Sequence, residues 1–316
     1  MSENVRALAL SVLDRTEKNK SYSNIAVDTI IKQHSLEGKD RSLFCILVYG
    51  VIERKITLDY LIASLSDMPI TEIETSVLNL IRMGIYQLRF LDRIPAHAAL
   101  NETVALANRR SRGFVNAVLR NYLRKKDTLE LPKKQQNLVR YLSVSYSYPE
   151  AFCQKLLEEY GASETENILT AFSHSPAITL HTNTLKISRD AFLASLLQKG
   201  IEASPTKNAP HGIRLVGATL SDIGIDSGLC FVQDEASQIA SAALEATPGD
   251  TVYDICSCPG SKSFSAALDM QNKGSILSFD IHENKLSLVR KSSNTLGITI
   301  LETQARDGRD FDEKLF

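Results

Sequence analysis

From residue 251 onward the chain alternates short apolar runs with amphipathic ones, and no other feature constrains its fold as tightly. Residues 252–255 read as a short apolar strand, 262–270 as a helix, 275–279 as a second strand, 283–296 as a second helix and 298–301 as a third strand. A strand-helix-strand order implies a parallel sheet, since each helix carries the chain back to the starting edge, and the crossovers should be right-handed. In such sheets ligands sit beyond the carboxyl ends of the strands. Asp254, the turn from Cys256 to Lys262, Asp280 and Asp307 all fall at that edge.

The turn Cys256-Ser257-Cys258-Pro259-Gly260-Ser261-Lys262 argues against several familiar ligands. A phosphate-binding P-loop needs glycines where this chain has Cys256 and Ser261. A dinucleotide fingerprint needs three glycines to admit a pyrophosphate; only Gly260 is present, which disfavours a nicotinamide oxidoreductase. One residue between Cys256 and Cys258, with His282 as the nearby histidine, is poor spacing for zinc, so no metal is expected and the thiols read as packing groups. What remains is a ligand with a nucleoside and a carboxylate. Asp280, 26 residues after Asp254, is placed to accept hydrogen bonds from ribose hydroxyls, and a helix starting at Ser261-Lys262 can receive a carboxylate. S-adenosylmethionine carries both groups, although acids at strand ends also serve simply as helix caps.

At 316 residues, 43% apolar and 23% charged, the chain can fill two or three compact domains. No apolar run approaches the roughly 18 residues of a bilayer span, and the start Met1-Ser2-Glu3-Asn4 lacks the segments of a signal peptide, so a cytoplasmic protein without membrane contact is expected. The scattered Cys45, Cys153 and Cys230, with Cys256 and Cys258, fit reduced thiols better than a disulfide framework. The net charge of -1 hides a segregation: residues 109–140 hold ten Lys or Arg against Asp127 and Glu130. Arg109, Arg110 and Arg112 lead into a helix at 114–126, on which Arg120 and Arg124 place two guanidinium groups side by side, with Lys125 and Lys126 following. That geometry suits the neighbouring phosphates of RNA, although cations near a helix end are also favoured by its dipole alone.

Around the basic segment the pattern is helical. Val5, Leu8 and Val12 repeat at helical spacing behind a cap at Ser2, and an apolar run at 43–52 predicts a fully buried helix. Further helical patterns at 58–65, 73–91 and 98–108 are separated by turns at Met68-Pro69 and Ile94-Pro95, which predicts an all-α bundle. A polar stretch at 133–137 and a tyrosine-rich one at 141–149 read as a linker before a helix at 151–160. Strands at 178–183 and 212–216 around a capped helix at 188–199 predict a small α+β subdomain. The expected organisation is therefore a helical domain at 1–130, a linker and α+β connector at 131–225, and the first half of an α/β Rossmann-like domain at 226–316.

The residues also carry a resemblance. Cys256 to Lys262 resembles the Cys-Ala-Ala-Pro-Gly-Gly-Lys motif of the RNA cytosine-C5 methyltransferases, and Val232-Gln233-Asp234-Glu235-Ala236-Ser237-Gln238 resembles the Gln-Asp-x-Ala/Ser-x-Gln block of the same family. Ile94 to Glu102 and Gly113 to Arg120 are similar to the NusB-type RNA-binding domain at the front of its Sun/RsmB branch, and Leu180 to Lys186 matches the middle subdomain, so the resemblance covers the whole chain. It implies S-adenosylmethionine-dependent methylation of a cytosine in 16S rRNA. Carried over residue by residue, it implies that Cys256, Ser257, Cys258, Pro259, Gly260, Ser261 and Lys262 surround the methionine end of the cofactor, Asp280 the ribose and Asp307 the adenine side. Cys258 and Ser261 stand where Ala and Gly are usual, and His181 where the connector usually has Arg, which predicts weakened cofactor affinity.

Cytosine C5 is too electron-poor to attack a methyl group directly, so in this family a cysteine thiolate adds to C6 and makes C5 nucleophilic. The resemblance implies that this Thr-Cys nucleophile, a Pro-Cys that helps release product and a neighbouring aspartate all lie downstream of the third strand. No catalytic residue is then expected up to Phe316, and Cys256 and Cys258 are expected to wall the cofactor instead. A stop at Phe316 leaves the first strand with an open edge and reads as a fragment boundary. The expectation is a monomer that binds RNA, with cofactor binding left open, and does not turn over. The alternative is a non-catalytic NusB-like RNA-binding protein of the antitermination type with a vestigial second half.

Overall fold

The computed structural model describes residues 4–19, 23–174, 176–218 and 220–310; the cap expected at Ser2 lies outside them. The chain forms two compact units, Met1–His174 and Ser175–Phe316. Among the described residues no helix is long and apolar enough to cross a membrane.

In Met1–His174, helices α1 (Val5–Asn19), α2 (Ser23–Gln33), α3 (Gly38–Glu53), α4 (Lys55–Ala63), α5 (Thr75–Phe90), α6 (Ala96–Leu106) and α7 (Arg112–Lys125) bury a shared apolar core. The most buried of them is α5, which packs against α1, α3, α4, α6 and α7. Its Gly84 lets two neighbours close in, because a Cβ there would lie 2.7 Å from Leu119 Cδ2 and 3.2 Å from Thr103 Cγ2. Buried Arg82 on the same helix is compensated by both carboxylate oxygens of Asp59, at 2.6 and 2.8 Å, and by Glu17 and Asn79 at 3.0 and 2.8 Å.

Two expectations are corrected here. The apolar run at 43–52 forms α3, but the helix is not fully buried: Ile46, Tyr49 and Ile52 are 45%, 41% and 37% exposed, while Phe44, Leu47, Val48 and Val51 are covered. A continuous apolar run points to every face of a helix, and the bundle covers only part of this one. The stretch read as a linker contains α8 (Leu138–Tyr146), followed by α9 (Glu150–Phe172). Asn137 caps α8 by accepting the Arg140 N–H at 2.9 Å, Ser147 ends it at φ 64°, and Leu142 packs with Cys153 and Leu169 of α9. A helix of 9 residues is marginal alone and depends on such packing, which its tyrosine-rich sequence does not advertise. The expected helix end near Tyr160 is present as a break inside α9 at Gly161, φ 72° and ψ 175°.

In Ser175–Phe316 the first sheet is antiparallel. It orders β2 (Ala203–Pro205), β3 (Gly212–Leu215), β1 (Thr179–Thr182) and β4 (Cys230–Val232), with α10 (Arg189–Gln198) packed on β2 and β3. After the short α11 (Leu220–Ile223) and α12 (Glu235–Ala242), the second sheet runs β5 (Thr251–Asp254), α13 (Ser261–Asp269), β6 (Ser275–Asp280), α14 (Glu283–Leu296) and β7 (Leu301–Ala305). Its strands are parallel in the order β5-β6-β7, with Asp254 opposite Ser278 and Asp280 opposite Ala305. The third strand thus starts at Leu301, where residues 298–301 were expected to form it. Gly297, at φ 80°, ends α14, and the Ile298 N–H reaches back to the Ser293 carbonyl at 2.9 Å, so buried Ile298 belongs to the helix cap.

Candidate cofactor site and basic helix

The parallel register brings Asp254, Asp280 and the residues after Ala305 to one edge, as strand periodicity requires. Asp254 itself braces the scaffold: it accepts the Ser263 hydroxyl at 2.7 Å, and Ser263 lies 2.9 Å from the Ser278 hydroxyl, tying β5, α13 and β6 together. The turn that follows is drawn onto the sheet by the Ser257 N–H, which donates to the Phe279 carbonyl at 2.8 Å. Gly260 precedes α13 at φ 102°, and a Cβ there would meet Phe264 Cζ at 2.6 Å and Val289 Cγ1 at 3.0 Å. Only glycine gives both that conformation and that clearance, and the N–H groups in the first turn of the helix that follows have no intrahelical acceptor.

Asp280 is partly buried at the end of β6. Burial pushes its carboxyl up, but the His282 N–H at 3.0 Å, the Cys258 thiol and backbone, and the charge of Lys285 together hold it below the usual carboxylate range. It is an anion in a hydrogen-bonding frame. Cys258 responds in the opposite direction: burial and its bond to Asp280 push the thiol up to about 11. Asp307 lies two residues past β7, and Arg309 holds its carboxyl down at about 2 through bonds at 2.9 and 2.5 Å. The loop carrying it approaches the first turn, since a Cβ on Gly308 would lie 3.3 Å from the Ile255 carbonyl oxygen.

The expected turn residues therefore share one edge with Asp280 and the Asp307 loop. Ser257 and Gly260 are buried, Cys258 and Ser261 half-buried, and Cys256, Pro259 and Lys262 exposed. The reading of the two thiols as packing groups fails for Cys256, which the turn presents to solvent. Among the described residues no group of His, Cys, Asp or Glu could hold a metal ion. Sequence reasoning did not single out Ser265, Arg306 or Arg309. Ser265 sits four residues after Ser261 on the inner face of α13, a spacing that could have signalled it.

The basic residues lie in the other unit. Asn108 accepts the N–H groups of Arg110 and Ser111 at 3.0 and 2.9 Å, which organises the loop entering α7. Arg109, Arg110, Arg112, Arg120, Arg124, Lys125 and Lys126 are all exposed, while Val115, Val118, Leu119 and Tyr122 bury the opposite face of α7. Arg120 Nε donates to Asn116 Oδ1 at 3.0 Å, which orients its guanidinium along the helix.

Comparison with known proteins gives three successive matches, the middle one running across the boundary between the two units. Residues 3–124 match the NusB family, 148–221 the ferredoxin-like domain of RsmF/B-like methyltransferases, and 241–316 the 16S rRNA methyltransferase RsmB/F family. A probable ribosomal RNA small subunit methyltransferase B from Bacillus subtilis is 33% identical over 98% of this chain and 70% of its own length. A namesake from Synechocystis is 32% identical over 94% of this chain and 68% of its own. In fold, the crystal structure of PH0851 matches 98% of the chain and 71% of its own with a TM-score of 0.72 at 21% identity.

Proposed function

Since the chain belongs to the 16S rRNA methyltransferase RsmB/F family, we propose that its second unit holds S-adenosylmethionine at the carboxyl edge of β5, β6 and β7 for methylation of cytosine C5, while the first unit holds 16S rRNA. The carrying observation is the juxtaposition of the anionic Asp280 with the Gly260 turn. A ribose diol needs a carboxylate acceptor, an amino-acid carboxylate needs free N–H groups, and the edge supplies both without a glycine-rich phosphate cradle. Asp280 would take the ribose, residues 256–262 the methionine end and the Asp307 loop the adenine side. When bound, the cofactor supplies an electrophilic methyl group. The protein's part is to place it and to hold rRNA through Arg109, Arg110, Arg112, Arg120, Arg124, Lys125 and Lys126. In this reading residues 1–130 serve RNA binding, 131–225 connect, and 226–316 serve the cofactor.

Four of the five cysteines are held away from the thiolate form that a nucleophile needs. Burial pushes Cys45 and Cys153 up, Cys230 to about 12 and Cys258 to about 11, and Cys256 is an exposed free thiol. Residues 1–316 are therefore proposed to bind cofactor and rRNA without transferring the methyl group. Calorimetric titration with S-adenosylmethionine tests the site: binding lost by about tenfold or more in Asp280→Asn is expected. No binding to the native chain would refute the cofactor assignment, and labelled methyl appearing in 16S rRNA would refute the assignment of the cysteines.

A further inference from the structure

The strand β1 places His181 in the interior of the second unit, 4% exposed, with its ring stacked 4.9 Å from Phe231 and 5.7 Å from His211. Its Nδ1 lies 2.8 Å from Gln233 Oε1 and 3.2 Å from the Ser265 hydroxyl, and that hydroxyl donates to the same Oε1 at 2.8 Å. The other end of the Gln233 amide donates to the Ser241 hydroxyl at 3.3 Å and to the Ser261 carbonyl at 3.4 Å. A carbonyl can only accept, so the amide nitrogen must face Ser261 and its oxygen must face His181. Nδ1 therefore carries the imidazole hydrogen. Nε2 is buried and has no partner among the described residues, so the polar role of this ring rests on its Nδ1 side.

Ser261 is the first residue of α13 and directly follows Gly260. Its carbonyl accepts from the Gln233 amide at 3.4 Å and lies 3.0 Å from the Ser265 hydroxyl, whose single hydrogen is divided between it and Gln233 Oε1, while Gln238 Nε2 holds the Gln233 carbonyl at 2.9 Å and the Leu180 carbonyl at 3.2 Å. The orientation of the Ser261 carbonyl fixes its peptide plane with Lys262, and hence where the Lys262 N–H points. We propose that His181, Gln233 and Ser265 are positioning residues that link the antiparallel sheet to the first turn of α13 and aim its N–H groups at the cofactor's carboxylate. The inference rests on the cofactor reading given above, which it extends to residues that touch no ligand.

Paired substitutions separate hydrogen bonding from ring packing, with S-adenosylmethionine as titrant and the whole chain as protein. His181→Phe keeps the stacked ring and removes the Nδ1 donor, whereas His181→Asn keeps an amide donor near the Nδ1 position and removes the ring. Positioning predicts about a tenfold weaker affinity in the Phe variant and an affinity within about threefold of native in the Asn variant. The reverse order, or equal binding in both, would overturn the proposal. Ser265→Ala, a substitution compatible with a helix, reaches the relay from its other end and should weaken binding in the same direction even if His181→Phe fails to fold by circular dichroism. Native affinity in Ser265→Ala would overturn the proposal as well. A native chain that binds no S-adenosylmethionine would remove the cofactor reading and this inference together.

Discussion

Protonating His181 should unfold the second unit more readily, and the structure sets the size of the effect. Burial holds the imidazole at about 4 against an ordinary value of 6.5, the Gln233 oxygen opposing the shift and the nearby His211 adding to it. The neutral ring is the folded form. The unfolded chain therefore binds the proton first as pH falls, so the stabilisation is complete above about pH 6.5 and is lost progressively toward pH 4. That depression corresponds to about 3 kcal/mol in all, of which about 2 kcal/mol is gone by pH 5. That is a large share of the roughly 5–15 kcal/mol that holds a typical domain together. Urea denaturation followed by circular dichroism at pH 7.5 and pH 5 should show the loss in the native chain and a smaller loss in His181→Phe, where the titrating group is absent but the ring remains. NMR should show the His181 ring proton unchanged from pH 8 to pH 5. The reasoning fails if that resonance titrates near pH 6.5, or if the variant loses as much stability as the native chain.

Three further outcomes follow from other parts of the molecule. Gly260→Ala puts a Cβ 2.6 Å from the Phe264 ring at φ 102°, and should cost about 1–3 kcal/mol in a denaturant titration while lowering affinity for S-adenosylmethionine; unchanged values for both would contradict the close approach described. Arg82→Met strands Asp59 beside the bundle core, while Glu17 keeps Lys55 at 2.6 Å, and should destabilise the first unit by roughly 3 kcal/mol, with part of the loss recovered when Asp59→Leu is added; no recovery would mean that the pair is not what holds the site. Replacing Arg120 and Arg124 together by Gln should weaken binding of 16S rRNA fragments and flatten its salt dependence by about one or two in logarithmic slope, measured by filter binding between low and physiological salt. An unchanged slope would place the phosphate contacts elsewhere.

The elements around the cofactor edge were legible because their signals are local. Strand-helix alternation after residue 251 predicted the parallel sheet, and the turn at 256–262 falls at the carboxyl edge proposed to take the cofactor. The misread segments were those where tertiary packing overrides local pattern. Residues 138–146 become a helix because Leu142 finds Cys153 and Leu169, and residues 298–301 look like a strand but start as the apolar cap of α14. The apolar run in α3 predicted the helix correctly and its surroundings wrongly, since periodicity reports which face is apolar and not which face a bundle will cover.

The site divides the same way. Asp280 and Gly260 could be named from sequence because a strand end and a tight turn are one-dimensional facts. The Cys258 thiol bonded to Asp280, the Arg309 guanidinium on Asp307 and the Ser265 link to His181 could not, because each joins side chains whose proximity is created by folding. Sequence by itself determined the strand-helix alternation after residue 251, which follows from backbone periodicity, and the methyltransferase family, which follows from motif resemblance. Tertiary structure decided the protonation states and the orientation of the first turn of α13, because those depend on burial and on hydrogen bonds between residues as far apart as His181 and Ser265.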